Sequence, residues 1–83
     1  METRIAVIGI VVEEGESVEP LNEILHEYRK HIIGRMGIPY PQKNVCIISI
    51  AMDAPQTVIS AMTGKLGRLR GVSSKTAYQG TKS

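Results

Sequence analysis

Side chains able to do chemistry are few in this chain, and their spacing argues against most of it. The soft metal ligands are His26, His31 and Cys46. Histidines five residues apart stand about 140° apart round a helix, so they share no face and make no intrahelical pair. Metal coordination within one subunit is therefore not expected, and only assembly across subunits could complete a site from so few donors. His31 suits a helix C-terminus, where a cation is favoured, and Cys46 reads as a small hydrophobe. Covalent catalysis is no better supplied. No serine stands in a Gly-x-Ser-x-Gly elbow, and no histidine is near Cys46 in sequence. Asp53 with Gln56 three residues on reads as a capping box, Asp53 as N-cap, rather than a catalytic acid. Gly64, Gly67 and Gly71 do not lead from a strand into a helix, so they form no phosphate-binding loop and instead fray and end a helix. Neither an enzyme nor a cofactor is expected.

The elements that position these residues must come from 83 residues, enough for one domain. Such a chain buries roughly two-thirds of its unfolded surface and is marginally stable alone. Cys46 is the sole cysteine, which excludes an internal disulfide and points to a reducing, cytoplasmic compartment. There is no Trp or Phe, and Tyr28, Tyr40 and Tyr78 are the only aromatic residues. No apolar run approaches the ~20 residues of a membrane span, so no membrane association is expected. The opening METRIAVIGIVVEEG is β-branched and runs into acids, unlike a signal peptide.

Arg4 to Val12 reads as a strand apolar on both faces, with Ile5, Val7, Gly9 and Val11 on one side and Ala6, Ile8, Ile10 and Val12 on the other. A helix over Val18 to Lys30 follows, with Ser17 as N-cap, Pro20 in its first turn and an apolar stripe of Val18, Leu21, Ile24, Leu25 and Tyr28. Ile32 to Ile38 is predicted as a second strand at a sheet edge, where Gly34 and Gly37 leave room for another group to approach the backbone. Arg35 and Met36 there point to opposite faces, and the arginine also guards an exposed edge. Pro39 and Pro41 stiffen the hairpin to Asn44. Val45 to Met52 is again apolar on both faces, a helix carries Val58, Ile59, Met62 and Leu66, and Val72 to Tyr78 makes a last strand.

The order β-α-β-β-α-β predicts an α+β, ferredoxin-like sandwich: a four-stranded antiparallel sheet with two helices on one face. That topology puts the first and third strands in the centre, and these are the two that are apolar on both sides. Two helices cover one face only, so the other would expose several hundred Å² of aliphatic surface. A homo-oligomer, dimer or tetramer, with sheets packed face to face, edge to edge or both, is the expected partner arrangement.

Charge is divided along the chain. Residues 1–27 carry a net −6 and residues 28–83 a net +8. Two halves that pair on folding account for this. The runner-up reading is a basic nucleic-acid-binding module in transcriptional regulation, resting on Lys65, Arg68, Arg70 and Lys75. Direct nucleic-acid binding is not expected, because the sandwich uses the whole chain and leaves no helix-turn-helix or ribbon. A metal-binding carrier comes third.

Three motifs in order, GRMGIPY (Gly34 to Tyr40), ISIAMDA (Ile48 to Ala54) and GKLGRLRGVSSKT (Gly64 to Thr76), resemble the family of iron-only ([FeFe]) hydrogenase system regulators. That family is similar in shape to the ACT-like ligand-sensing fold and to the C-terminal domain of the nickel-responsive repressor. The resemblance covers nearly the whole chain. It implies a cytoplasmic, oligomeric, non-enzymatic regulatory module, with residues 1–78 as one ACT-like domain and 79–83 as a flexible tail. Arg70 stands where the family more often has proline before Gly71-Val72. The nickel repressor's histidine and cysteine spacings are absent here, so its metal site does not carry over. ACT relatives bind amino acids at the loop after the first strand, at a subunit interface; here Glu13-Glu14-Gly15 replaces their Asp-x-Pro-Gly turn, and an acidic loop repels a carboxylate. The candidate contacts for a small ligand or protein partner are thus Glu13, Glu14 and Gly15, with Gly34, Arg35, Met36 and Gly37.

Overall fold

Alternation along Arg4–Val12 (β1) drives Ala6, Ile8, Ile10 and Val12 into the core, each at most 2% exposed. The computed structural model describes residues 2–13 and 15–80. After β1 come α1 (Val18–Glu27), β2 (Ile32–Tyr40), β3 (Val45–Ala54), α2 (Gln56–Gly67) and β4 (Val72–Tyr78). The sheet order is β2-β3-β1-β4 and every pairing is antiparallel. This is the expected ferredoxin-like arrangement, with the two doubly apolar strands in the centre.

The core lies between one face of the sheet and the two helices. Ile48, Ile50, Met52 and Ala54 of β3 join the inward row of β1, and Leu21, Leu25, Ile59, Met62 and Leu66 close over them from α1 and α2. The amphipathic spacing of α1 does what its stripe implies for Leu21 and Leu25, with Ile24 and Tyr28 packed at the margin, whereas Val18, in the first turn, is 39% exposed and lies off the core. Within α2, Val58 is peripheral and Ile59 takes the core position.

Boundaries and caps differ from expectation in instructive ways. The α1 helix ends at Glu27, and Arg29–His31 continues as a single 3-10 turn in which the His31 N–H donates to the Tyr28 carbonyl at 2.9 Å. Ser17 does precede α1, but its backbone is already helical and its hydroxyl makes no capping bond. Instead, Ser17 Oγ donates to the Arg70 carbonyl at 2.6 Å, tying the start of α1 to the turn before β4. The capping box at Asp53 is not formed. Asp53 stays in β3 opposite Ile5, and Pro55, in extended conformation, precedes the helix without a side-chain cap. The Gln56 side chain accepts from Arg4 Nη1 at 2.6 Å and donates to Tyr78 OH at 2.9 Å and Ser60 Oγ at 3.0 Å. Extended pairing with β1 outcompeted the local cap, because a strand residue there satisfies its backbone in the ladder.

The opposite charges of the two halves do meet. Lys65 Nζ lies 2.8 Å from Glu27 Oε2, and Arg70 is 3.8 Å from Glu16. Hydrogen bonding to Glu27, with a smaller contribution from Tyr28, raises the Lys65 ammonium above the ordinary lysine range. A raised folded value means that this contact stabilises at neutral pH and is lost as alkaline pH rises through it. At the surface such a pair adds little. Gln79 donates its N–H to the Ile5 carbonyl at 2.8 Å, so the first residue of the expected tail still pairs with β1, whereas 81–83 lie outside the described residues.

Two substitutions test this architecture. Ile50, fully buried on the central strand, should lose about 2–5 kcal/mol as Ile50→Ala in urea unfolding. Gly71 has φ 71°, which an L side chain adopts only under strain, so Gly71→Ala should lower stability by roughly 1 kcal/mol in the same measurement.

Candidate functional site

Strand alternation that fills the core from one side must present its other row somewhere. Cross-strand partners share a face, so the register reads the second face directly. Its middle row is Met36, Ser49, Gly9 and Lys75, from β2 to β4. The row toward the β1 C-terminus is Ile38, Ile47, Val11 and Ser73, and the row on the other side is Gly34, Ala51, Val7 and Ala77. Among the described residues no helix covers them. Val7 is 45% exposed, Ile47 41%, Ile38 46% and Met36 58%, and Ile5, Val11 and Tyr40 are exposed as well. The bare aliphatic face expected from the sequence is therefore present. Its charged strand residues are Lys75 and Asp53, one of each sign.

The edge strand β2 carries four of the candidate contacts and splits them between faces. Met36 sits opposite Ser49 on the bare face, and Gly34 opposite Ala51. Arg35 sits opposite the buried Ile50, and Gly37 opposite Ile48, both on the helix side. A bulge at Ile33, between the Ile32 and Gly34 pairings, sets this phase and leaves Ile33 64% exposed. Nothing in the sequence marks it. The strand also runs to Tyr40, so Pro39 lies in the ladder opposite Cys46, as an edge strand allows. Pro41–Lys43 is a 3-10 turn closed by Asn44 in the left-handed region.

The loop after β1 is remote from these positions. Glu13 donates its N–H to the Gly71 carbonyl at 2.7 Å, and Gly15 opens a 3-10 turn leading to Ser17. Glu14 lies outside the described residues. Gly34 is level with Val7, six residues down β1 from Glu13 and two strands away. One subunit thus does not bring the loop and the β2 residues together.

On the helix side a cleft of about 290 Å³ lies between α1 and β2, lined by Asn22, Leu25, His26, Arg29, Ile32 and Arg35. Arg35 Nη2 donates to Asn22 Oδ1 at 2.9 Å, and Arg29 Nη1 donates to the His26 carbonyl at 2.9 Å. Sequence reading placed Arg35 but not its companions, because His26 and Arg29 become its neighbours only when α1 packs beside the edge strand.

No group of three or more His, Cys, Asp or Glu side chains that could hold a metal is assembled among the described residues. Among them, too, no helix is long and apolar enough to cross a membrane.

Comparison with known proteins places this geometry. Residues 4–76 match the TM1266-like family, described as "Iron-only hydrogenase system regulator, putative". The solved structure of TM1266 from Thermotoga maritima is similar with a TM-score of 0.90 and 33% identity, covering 93% of this chain and 98% of that one. A formyltetrahydrofolate deformylase from Pseudomonas putida KT2440 shares the fold, with a TM-score of 0.64 over 88% of this chain and 28% of that chain at 9% identity. A protein of Saccharolobus islandicus named "Putative nickel-responsive regulator" is 30% identical over 66 residues, which is 80% of this chain and 49% of the relative. The chain thus spans about half the length of the curated relatives it matches.

A Cβ added at Gly34 or Gly37 would meet nothing within 4 Å. Gly34→Ala and Gly37→Ala should therefore leave urea stability unchanged or raise it by up to about 1 kcal/mol. A loss larger than that would show that the fold itself requires these glycines.

Proposed function

This chain belongs to the TM1266-like family of iron-only hydrogenase system regulators, and on that premise we propose that it is a non-enzymatic regulatory domain that works as a homo-oligomer. The bare sheet face carries this reading. Aliphatic residues from β1, β2 and β3 stand 37–58% exposed on one side of a small domain, a surface that water penalises and that a second copy would cover. The face suits a copy of itself. It bears one cation and one anion among its strand residues, so two copies meet without net repulsion. Met36 protrudes at one end of the middle row, whereas Gly9 and Ser49 leave it low at the centre.

In this reading a small ligand or protein partner binds where subunits meet. Gly34 and Met36 on the bare face, and Glu13, Glu14 and Gly15 after β1, are the proposed contacts there, whereas Arg35 and Gly37 of the edge strand face the helix side and would meet a ligand without a second subunit. Separation of these groups within one subunit fits a site completed by a second. The family's description as a regulator supports a non-enzymatic role. The name of the Saccharolobus relatives suggests nickel, but the donor set does not fit it: His26, His31 and Cys46 stand on α1, a 3-10 turn and β3 and form no three-ligand group with other described side chains. A nucleic-acid module is less well supported, because its basic residues point different ways. Lys65 and Arg70 are paired with acids, and Lys75 stands on the opposite face of the sheet.

Light scattering and sedimentation at micromolar concentration test the proposal. The chain should run as a dimer or larger, and Val7→Lys with Ile47→Lys should yield a folded monomer with unchanged circular dichroism. A monomeric parent chain would sink the reading.

A further inference from the structure

We propose that the cleft between α1 and β2 binds a small organic oxyanion, with its carboxylate or phosphate group on Arg35 and Arg29 and a short apolar body against Ile32. The basis is an imbalance of charge around α1. That helix and its approach carry Glu16, Glu19, Glu23 and Glu27, yet the acids that pair do so with Lys65 and Arg70 on the side of α2 and β4. Among the described residues neither Arg29 nor Arg35 has a carboxylate within ion-pair distance.

Each guanidinium nonetheless has one oriented contact at the exposed rim of the cleft. Arg35 is anchored through one nitrogen to Asn22 Oδ1, and Arg29 through one nitrogen to the His26 carbonyl. Each keeps further N–H donors in a planar fork that matches carboxylate or phosphate oxygens two at a time. Because Asn22 accepts through its oxygen, its amide NH2 remains as another donor beside Arg35. Arg29 also covers a carbonyl at the helix C-terminus, an end that would otherwise repel an anion.

The apolar part of the floor is Ile32, which is half-buried, with Leu25 sealed beneath at 1% exposure, so a hydrocarbon portion would displace water from Ile32 while the charged end stays at the rim. A volume of about 290 Å³ in a cleft open to solvent admits a body of single-ring size. The cleft lies on the helix side of the sheet, away from the bare face, so binding does not depend on the proposed self-association.

Titration of the full chain followed by 15N–1H spectra tests the assignment, using phenyl phosphate, phenylacetate and inorganic phosphate at constant ionic strength with chloride as control. Saturable shifts should appear for amides of Asn22 to Arg35 with phenyl phosphate or phenylacetate. Inorganic phosphate, lacking an apolar body, should bind more weakly. Arg35→Ala should weaken phenyl phosphate at least about tenfold. Arg35→Lys, which keeps the charge and loses the fork, should fall between the two and guards against a folding artefact in the alanine variant. Shifts that track chloride alone, or binding unchanged in both Arg35 variants, would overturn the proposal. Equal affinity for inorganic phosphate would overturn the apolar body. Because the Val7→Lys, Ile47→Lys chain should retain this binding, failure of self-association and failure of the cleft read out separately.

Discussion

Everything in this molecule follows from a mismatch between sheet and helices. Two central strands, β1 and β3, are apolar on both faces, and the two described helices cover only one of those faces. On the covered side the rows of Ala6, Ile8, Ile10 and Val12 and of Ile48, Ile50 and Met52 meet five large helix side chains in a closed core. On the other side Val7, Val11 and Ile47 face outward and stay exposed among the described residues. A polar outer row would have served a free-standing sandwich, since antiparallel sheets readily turn one face to water. Keeping that row aliphatic leaves exposed a surface that water penalises.

The edge strand links that face to the rest of the domain. β2 pairs only with β3, and its bulge at Ile33 fixes which of its side chains look outward. Met36 joins the bare face while Arg35 turns back to α1, so neighbouring residues serve two different surfaces. A one-residue change of register would exchange them, which is why the bulge matters beyond its length. Acidic and basic halves of the chain meet across α1, α2 and the turn before β4, and among the described residues the guanidiniums beside β2 pair with no carboxylate.

Much of the fold was legible in the sequence because it rests on periodicity. Doubly apolar strands must be central, an α1 stripe at three- and four-residue spacing must face them, and β-α-β-β-α-β then leaves a single simple arrangement. The bare face was legible for the same reason: Val7, Val11 and Ile47 alternate with core residues, and both described helices lie on the other side. The caps were less legible. Ser17 and Asp53 carry side chains that favour capping, yet Ser17 bonds Arg70 across the fold and Asp53 remains in the β1 ladder. Local preference of a polar side chain is worth less than a satisfied backbone partner far away in sequence.

Sequence alone thus determined the class of fold, the central strands, the composition of the core and the existence of an uncovered aliphatic surface, because each depends on the two- and 3.6-residue periods of the chain. Tertiary structure decided which faces the β2 residues occupy, where Ser17 and Gln56 spend their hydrogen bonds, and that Arg29, Arg35 and Asn22 share a cleft. Those outcomes depend on register and on contacts between distant segments. The Ile33 bulge and the docking of α1 against an edge strand leave no periodic trace to read.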